Sequence, residues 1–370
     1  MTFHASNSVM PFVSAASEAA HMANRAGLVY VSDSLVGYRR QRSGKRFHYF
    51  LPDNRRLRSP SALKRIIGLA IPPAYENVWI CMDRRGHIQA TGRDARGRKQ
   101  YRYHPEWRSV RDDAKFDRMT TFAEALPRLR RKLARDLALA GLPRQKVLAA
   151  VISILDATRV RVGNAEYARD NKSFGLTTLL NRHVSFIRHG RAVLNFRGKG
   201  GVQHEVLIDD KRIAKIMRHC QELPGQQLFQ YVTDDGQRAP IDSGQVNDYL
   251  RDAMGDDFTA KDFRTWGATL KAIILFARTP LPKNTSDRSL NIEIAAVVKH
   301  VAAELRNTPA VCRKSYINPI VCDVWRSGMI QNAFNGPLKL AAPRQTESRV
   351  LAFLNRYANQ AMCTKPTGMG

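Results

Sequence analysis

One phenol preceded by two cations is an arrangement in this sequence that could do chemistry. Tyr316 closes the run Asn307-Thr308-Pro309-Ala310-Val311-Cys312-Arg313-Lys314-Ser315-Tyr316. A phenol titrates near ~10 and is a weak nucleophile at neutral pH. Positive neighbours favour the phenolate and so activate it. Alone, Tyr316 is one of eleven tyrosines and equally suits a half-buried position with a bonded hydroxyl. What shifts the balance is a series of cations upstream: Arg161, Lys199 and Arg264. Guanidinium forks and ammonium groups are suited to phosphate oxygens.

Charge points to the same kind of partner. The chain has 370 residues, enough for two domains, and a formal net charge of +28. Such an excess favours a polyanion, most often nucleic acid. The cations are spread from Arg25 to Arg326, which suits a folded basic surface better than a disordered arm. An anionic membrane surface is the weaker alternative, because neither a lipidation box nor an apolar run of membrane-spanning length is present. Five scattered cysteines without a CxxC pair indicate a reducing compartment. With no signal-peptide pattern, a cytoplasmic protein is expected, nucleoid-associated if bacterial. No HExxH, carboxylate-rich loop or Cys/His spacing appears, so no metal ligands are nominated and no cofactor is expected.

The elements that must position these residues are legible in outline. Residues 1–25 read as a flexible segment with a short helix around 14–24. Four β-like runs follow, Leu28–Val31, Phe47–Leu51, Val78–Met82 and His87–Thr91, separated by turn chemistry. Ser59-Pro60-Ser61 opens a capped helix. Residues 26–106 thus form a small β-rich domain. From about 110 the pattern is helical, with Phe122, Leu126, Leu129, Leu133, Leu137 and Leu139 as one apolar stripe. Pro143 opens a second helix that runs into Arg161, with Gly163-Asn164 as its stop. Residues 183–208 alternate with period two, predicting a three-stranded meander with Lys199 at a glycine-rich hairpin tip. Taken alone, an exposed hairpin lysine suits a merely solubilising role. Helices are expected at Lys211–Glu222, Gln245–Met254, Thr259–Ala277 and Asn291–Arg306. The catalytic domain covers 107–334. Residues 335–370 read as a linker, a short helix over Glu347–Ala361 and a tail.

The β-rich domain ends in Gly97-Arg98-Lys99-Gln100-Tyr101-Arg102-Tyr103. On a strand, Gln100 and Arg102 face one side while Lys99, Tyr101 and Tyr103 face the other. Cations suit phosphates, glutamine suits an adenine edge, and tyrosines add apolar contact. A charged edge strand that discourages aggregation has the same composition.

Together these motifs resemble the type IB DNA topoisomerases, most closely the short bacterial and poxvirus-like form. The resemblance spans residues 26 to about 330. It rests on Ile71-Pro72-Pro73-Ala74-Tyr75 with Val78-Trp79-Ile80, on Gln89-Ala90-Thr91-Gly92-Arg93 with Gly97-Arg98-Lys99-Gln100-Tyr101, and on Arg161-Val162-Gly163-Asn164. Gly175-Leu176-Thr177-Thr178-Leu179, Phe196-Arg197-Gly198-Lys199, Lys261-Asp262-Phe263-Arg264-Thr265 and the tyrosine segment complete it. The resemblance implies an α+β fold: a small β-rich domain and a larger helical catalytic domain, closing as a C-shaped monomeric clamp around duplex DNA. It implies relaxation of supercoiled DNA through a 3′-phosphotyrosyl bond at Tyr316, without ATP or an obligatory metal. Arg161 and Arg264 would clamp the phosphate and Lys199 would protonate the leaving oxygen. Asn307 stands where poxvirus and eukaryotic members carry histidine. Arg98, Lys99, Gln100, Tyr101, Tyr103 and Lys261 are the expected DNA contacts.

A tyrosine recombinase is the nearest alternative. Such enzymes usually carry His-x-x-Arg at the second arginine, whereas this chain has Lys261-Asp262-Phe263-Arg264. A basic, non-catalytic nucleic-acid-binding protein is the alternative from another class.

Overall fold

The computed structural model describes residues 15–334, except 45, 96, 98 and 284, together with residues 343–363. Two units divide the chain, residues 1–115 and 116–370.

In the first unit, α1 (Ala15–Arg25) precedes a five-stranded antiparallel sheet. Its strands are β1 (Gly37–Ser43), β2 (Arg46–Phe50), β3 (Glu76–Cys81), β4 (Ile88–Arg93) and β5 (Lys99–Tyr103), in the order β2-β1-β3-β4-β5. Between β2 and β3, α2 (Pro60–Gly68) starts at Ser59, whose side chain accepts from the Ala62 amide, with Pro60 in the first helical position. Its Ile66 packs on Leu57, Val78, Ile80 and Ala90 to make the local core.

Two expectations change here. Leu28–Val31 is not a strand: it makes a single parallel bridge, Val29 to Gly86, and the Val31 amide donates to His87 Nδ1 at 3.0 Å. The strand that lies between β2 and β3 is instead β1, Gly-Tyr-Arg-Arg-Gln-Arg-Ser. Its cations hide the apolar alternation on which strand reading depends. Arg40 is accommodated because its guanidinium donates to the carbonyls of Ile71, Pro72 and Tyr75 and lies over the Phe47 ring, 4.3 Å from its centroid.

Helix α3 (Pro105–Leu137) begins in the first unit and continues into the second; Leu139 lies past its end and is exposed. Helix α4 (Arg144–Thr158) is apolar on nearly all sides, with an unbroken buried run from Val147 to Ile152, so it is a core helix. It stops at Thr158, five residues before the expected stop, because Arg159 takes the left-handed conformation, φ 55°. Residues 159–163 are therefore not helical. Their backbone pairs with the Gly175 motif: the Leu176 and Thr177 amides donate to the carbonyls of Arg161 and Val162.

After α5 (Ala165–Asn171), strands β6 (Val184–Ile187), β7 (Arg191–Arg197) and β8 (Gln203–Ile208) form an antiparallel sheet in chain order. Ala192, Leu194 and Phe196 face inward from β7; His204, Val206 and Ile208 do so from β8. Helices α6 (Lys211–Glu222) and α7 (Ser243–Met254) flank the short pair β9 (Gln230–Val232) and β10 (Arg238–Pro240). Helix α8 (Ala260–Phe276) is almost wholly buried, and α9 (Asp287–Leu305) packs on it. Then come α10 (Pro309–Ser315), α11 (Ile320–Arg326) and α12 (Met329–Ala333).

The last helix, α13 (Pro343–Cys363), extends beyond the expected Glu347–Ala361 at both ends. Val350 and Leu354 enter the core of the second unit. Its Glu347 meets Arg130 of α3 at 2.5 Å, while Arg130 also grips Asp156 of α4 through two bonds of 2.8 and 3.0 Å.

Candidate active site

Each candidate side chain sits on an element that starts or ends by ordinary local chemistry. Helix α8 begins with a capping box: Asp262 accepts from the Thr259 amide at 2.8 Å, and Thr259 accepts from Lys261. That start sets Arg264 on the inward face, 3% exposed. Two backbone carbonyls hold its guanidinium: Arg159, which caps α4, and Leu305, the last residue of α9 at 2.9 Å. Carbonyls at helix C-termini lack intrahelical donors and carry partial negative charge, so they suit a cation.

Helix α10 begins at Thr308, which caps the Val311 amide at 3.3 Å, with Pro309 in the first helical position. It ends so that Tyr316 is its C-cap. The Tyr316 carbonyl accepts from Thr269 of α8. Arg264 lies over the phenol ring, 4.9 Å from the centroid. Burial pushes the Tyr316 phenol up. The charge and hydrogen bond of Arg264, with the charges of Arg161 and Lys199, outweigh that and hold it below its ordinary value. Arg313 and Lys314, which precede Tyr316 in sequence, are exposed and do not figure among these causes. The activating cations come from three distant segments.

Arg161 Nη2 donates to Asn307 Oδ1 at 2.5 Å. Because arginine only donates, this bond fixes the Asn307 amide with its Nδ2 turned away from Arg161. Lys199 sits exposed at the tip between β7 and β8. Gly200 and Gly201 close that tip with φ of 77° and 79°, a region side chains disfavour. Arg161 Nη1, Arg264 Nε and Asn307 Nδ2 are buried donors with no acceptor among the described residues. Buried donors are normally paired, so two on the arginines that act on the phenol and a third on the asparagine bonded to Arg161 are unusual. They would suit the oxygens of an anion.

Sequence reading missed two residues beside them, His204 and Arg306. Burial, then the charges of Arg306, Arg161 and Arg264, push His204 down to about 4. Its inward place in the 204, 206, 208 alternation of β8 was the available signal. Among the described residues no cluster of three His, Cys, Asp or Glu could hold a metal ion, and no helix is long and apolar enough to cross a membrane.

The expected DNA contacts belong to the end of the first sheet and to the start of α8. Arg98 falls outside the described residues. On β5, Tyr101 and Tyr103 stack with centroids 5.8 Å apart, and Lys99 lies over Tyr101 while pairing with Asp33 at 2.6 Å. Gln100 is bonded to Asp94 at 3.0 Å. Lys261 is exposed on the first turn of α8.

Residues 104–320 match the family model for the catalytic core of eukaryotic DNA topoisomerase I. Residues 46–94 match that for the N-terminal domain of bacterial DNA topoisomerase IB. The DNA topoisomerase 1B of Acanthamoeba polyphaga mimivirus is 34% identical over 300 residues, covering 79% of this chain and 88% of its own. The chain belongs to the type IB DNA topoisomerases. More distant is the DNA topoisomerase 1B of Vaccinia virus (strain Copenhagen), 23% identical over 261 residues, 68% of this chain and 76% of its own. The topoisomerase therefore acts on DNA and relaxes it. Its catalytic-core match contains Arg161, Lys199, Arg264, Asn307 and Tyr316, and ends before α13.

Proposed function

We propose that this topoisomerase relaxes double-stranded DNA through transient cleavage of one strand by Tyr316, without ATP or an obligatory metal ion. The phenol oxygen attacks a backbone phosphorus and gives up its proton to water. The bond from phosphorus to the 5′ oxygen breaks, leaving a 3′-phosphotyrosyl bond and a 5′-hydroxyl. Reversal reseals the strand, and the phosphodiester energy is retained in the tyrosyl bond, so no nucleotide is consumed.

The observation that carries this reading is that Arg161 and Arg264, each with a buried donor unpaired among the described residues, both act on a phenol held below its ordinary value. Arg161, Arg264 and Asn307 would donate to the non-bridging oxygens as charge builds on them. Lys199, exposed at the tip, would protonate the departing 5′ oxygen. The Lys99, Tyr101 and Tyr103 face of β5 would contact the duplex, with Gln100 exchanging Asp94 for a base edge only on binding. Lys261 would contact a phosphate. The enzyme acts as a monomer.

The test is relaxation of supercoiled plasmid in EDTA without ATP, wild type beside Tyr316→Phe, with denaturant quenching to trap covalent adduct. Relaxation and adduct from wild type alone support the reading. Relaxation by both proteins assigns the nucleophile elsewhere, and Holliday-junction products from paired sites favour a recombinase.

A further inference from the structure

His204 lies on the inner face of β8, between the hairpin that carries Lys199 and the turn that carries Asn307. Three contacts define its ring. It stacks on its cross-strand partner Phe196, centroids 4.8 Å apart and planes 14° apart. Arg306 donates from Nη1 to Nδ1 at 3.0 Å, and from Nη2 to the Glu205 carbonyl. The Nε2 edge lies against Gly198, where a Cβ would stand 2.5 Å from Nε2. A side chain at 198 would collide with this ring.

Arginine has no acceptor, so Nδ1 accepts and the ring proton is on Nε2. Nε2 is buried with no partner among the described residues. A phenyl ring would fill the same space without that unpaired donor, so packing alone gives no reason for a histidine here. The distinguishing contribution of the ring is Nδ1, which receives Arg306. That arginine is in the left-handed conformation, φ 51°, directly before Asn307. Its side chain thus ties the Asn307 turn to β8, while the far edge of the same ring supports the backbone beside Lys199.

We propose that His204 is a positioning residue: with Arg306 and Gly198 it sets the hairpin tip against the Asn307 and Tyr316 side of the site, so that Lys199 reaches the departing 5′ oxygen. This rests on the reading of Lys199 as the proton donor. Lys199 is exposed at the tip, so its placement depends on how the tip is held.

The experiment compares single-turnover cleavage by the full chain on two duplexes carrying the same mapped cleavage site. One has an ordinary phosphodiester, the other a 5′-bridging phosphorothiolate, whose sulfur leaves without an acid. His204→Phe keeps the stacked ring and removes Nδ1. It is expected to slow ordinary cleavage at least ~10-fold and phosphorothiolate cleavage less than ~3-fold, a share of the full effect of general acid catalysis. His204→Asn returns an oxygen near the Nδ1 position and should recover most of the rate. Gly198→Ala presses on the ring from the hairpin side and should show the same split, which keeps the test decisive if phenylalanine is not accommodated. Equal slowing on both substrates, or none on either, overturns the proposal. Lys199→Ala is the control. If it slows both substrates equally, the acid role and the positioning role fall together. If it shows the split while His204→Phe and Gly198→Ala do not, only the positioning role falls.

Discussion

Arg161 holds Asn307 by its side-chain oxygen at 2.5 Å, which leaves the asparagine amide as an oriented donor that cannot take up a proton. Asn307→Ala should slow cleavage on the order of 10²-fold, the usual effect of deleting one transition-state donor. The shape of the pH–rate profile should not change. A step near neutrality that disappears in the variant would contradict this. Asn307→His should add such a step.

Arg264 is the largest of the influences that lower the Tyr316 phenol, and burial opposes it. Removing the guanidinium should therefore raise the phenol. The alkaline limb of the residual cleavage profile of Arg264→Gln should lie at higher pH than that of wild type. An unchanged limb would mean that Arg264 acts on the phosphate alone.

His204 couples pH to stability. Its ordinary value is 6.5, and in the fold it is about 4. Between these values the unfolded chain binds a proton that the native chain does not. The contribution is complete above about pH 6.5 and is lost as pH falls towards about 4, in total roughly 3 kcal/mol. Thermal midpoints across this window should fall less steeply for His204→Phe than for wild type.

Gly267 of α8 leaves room for the Arg159 side chain, whose Nε and Cδ occupy the space a Cβ would need. Arg159 in turn pairs with Glu304 at 3.3 Å, and its carbonyl anchors Arg264. Gly267→Ala should cost about 1–3 kcal/mol, as overpacking does, and should lower cleavage through Arg264. Adding Arg159→Ala should relieve part of the stability loss. Purely additive losses in a double-mutant cycle would show that the two positions do not press on each other.

Glu347 accepts from Trp266 Nε1 at 2.6 Å and pairs with Arg130, joining α13 to α8 and α3. Glu347→Ala leaves both donors short of an acceptor inside a largely buried network. A loss of about 2–4 kcal/mol follows, scaled down from the cost of breaking a fully buried pair. A shift in thermal midpoint no larger than that of an exposed substitution on α13 would contradict it.

Much of the site was legible because its ingredients are local. Thr259 and Asp262 start α8, and the Gly200-Gly201 tip turns β7 into β8. Each is a contact within a few residues, so residue type and spacing suffice. The reading of the first unit was weaker at β1, where a run of arginines, among them Arg40 with its guanidinium on carbonyls elsewhere in the unit, conceals an inner strand. Cues for the end of α4 also misled: the helix stops on a left-handed Arg159, while the glycine four residues later serves a different packing.

By itself the sequence determined the candidate reactive types, the phenol and the three cations, together with the hairpin that carries Lys199, the helix that carries Arg264 and the family to which the chain belongs. Tertiary structure alone decided which cations act on the phenol. Arg313 and Lys314 are near in sequence yet exposed, whereas Arg264, Arg161 and Lys199 come from α8, the non-helical segment after α4 and the β7–β8 tip. It also decided that Arg161, Arg264 and Asn307 keep donors unpaired among the described residues, and that His204 and Arg306 lie beside them. The reason is physical. Charge coupling and hydrogen-bond satisfaction depend on separation in space and on exclusion of water, and the groups concerned lie tens to more than a hundred residues apart in the chain, beyond the reach of any local pattern.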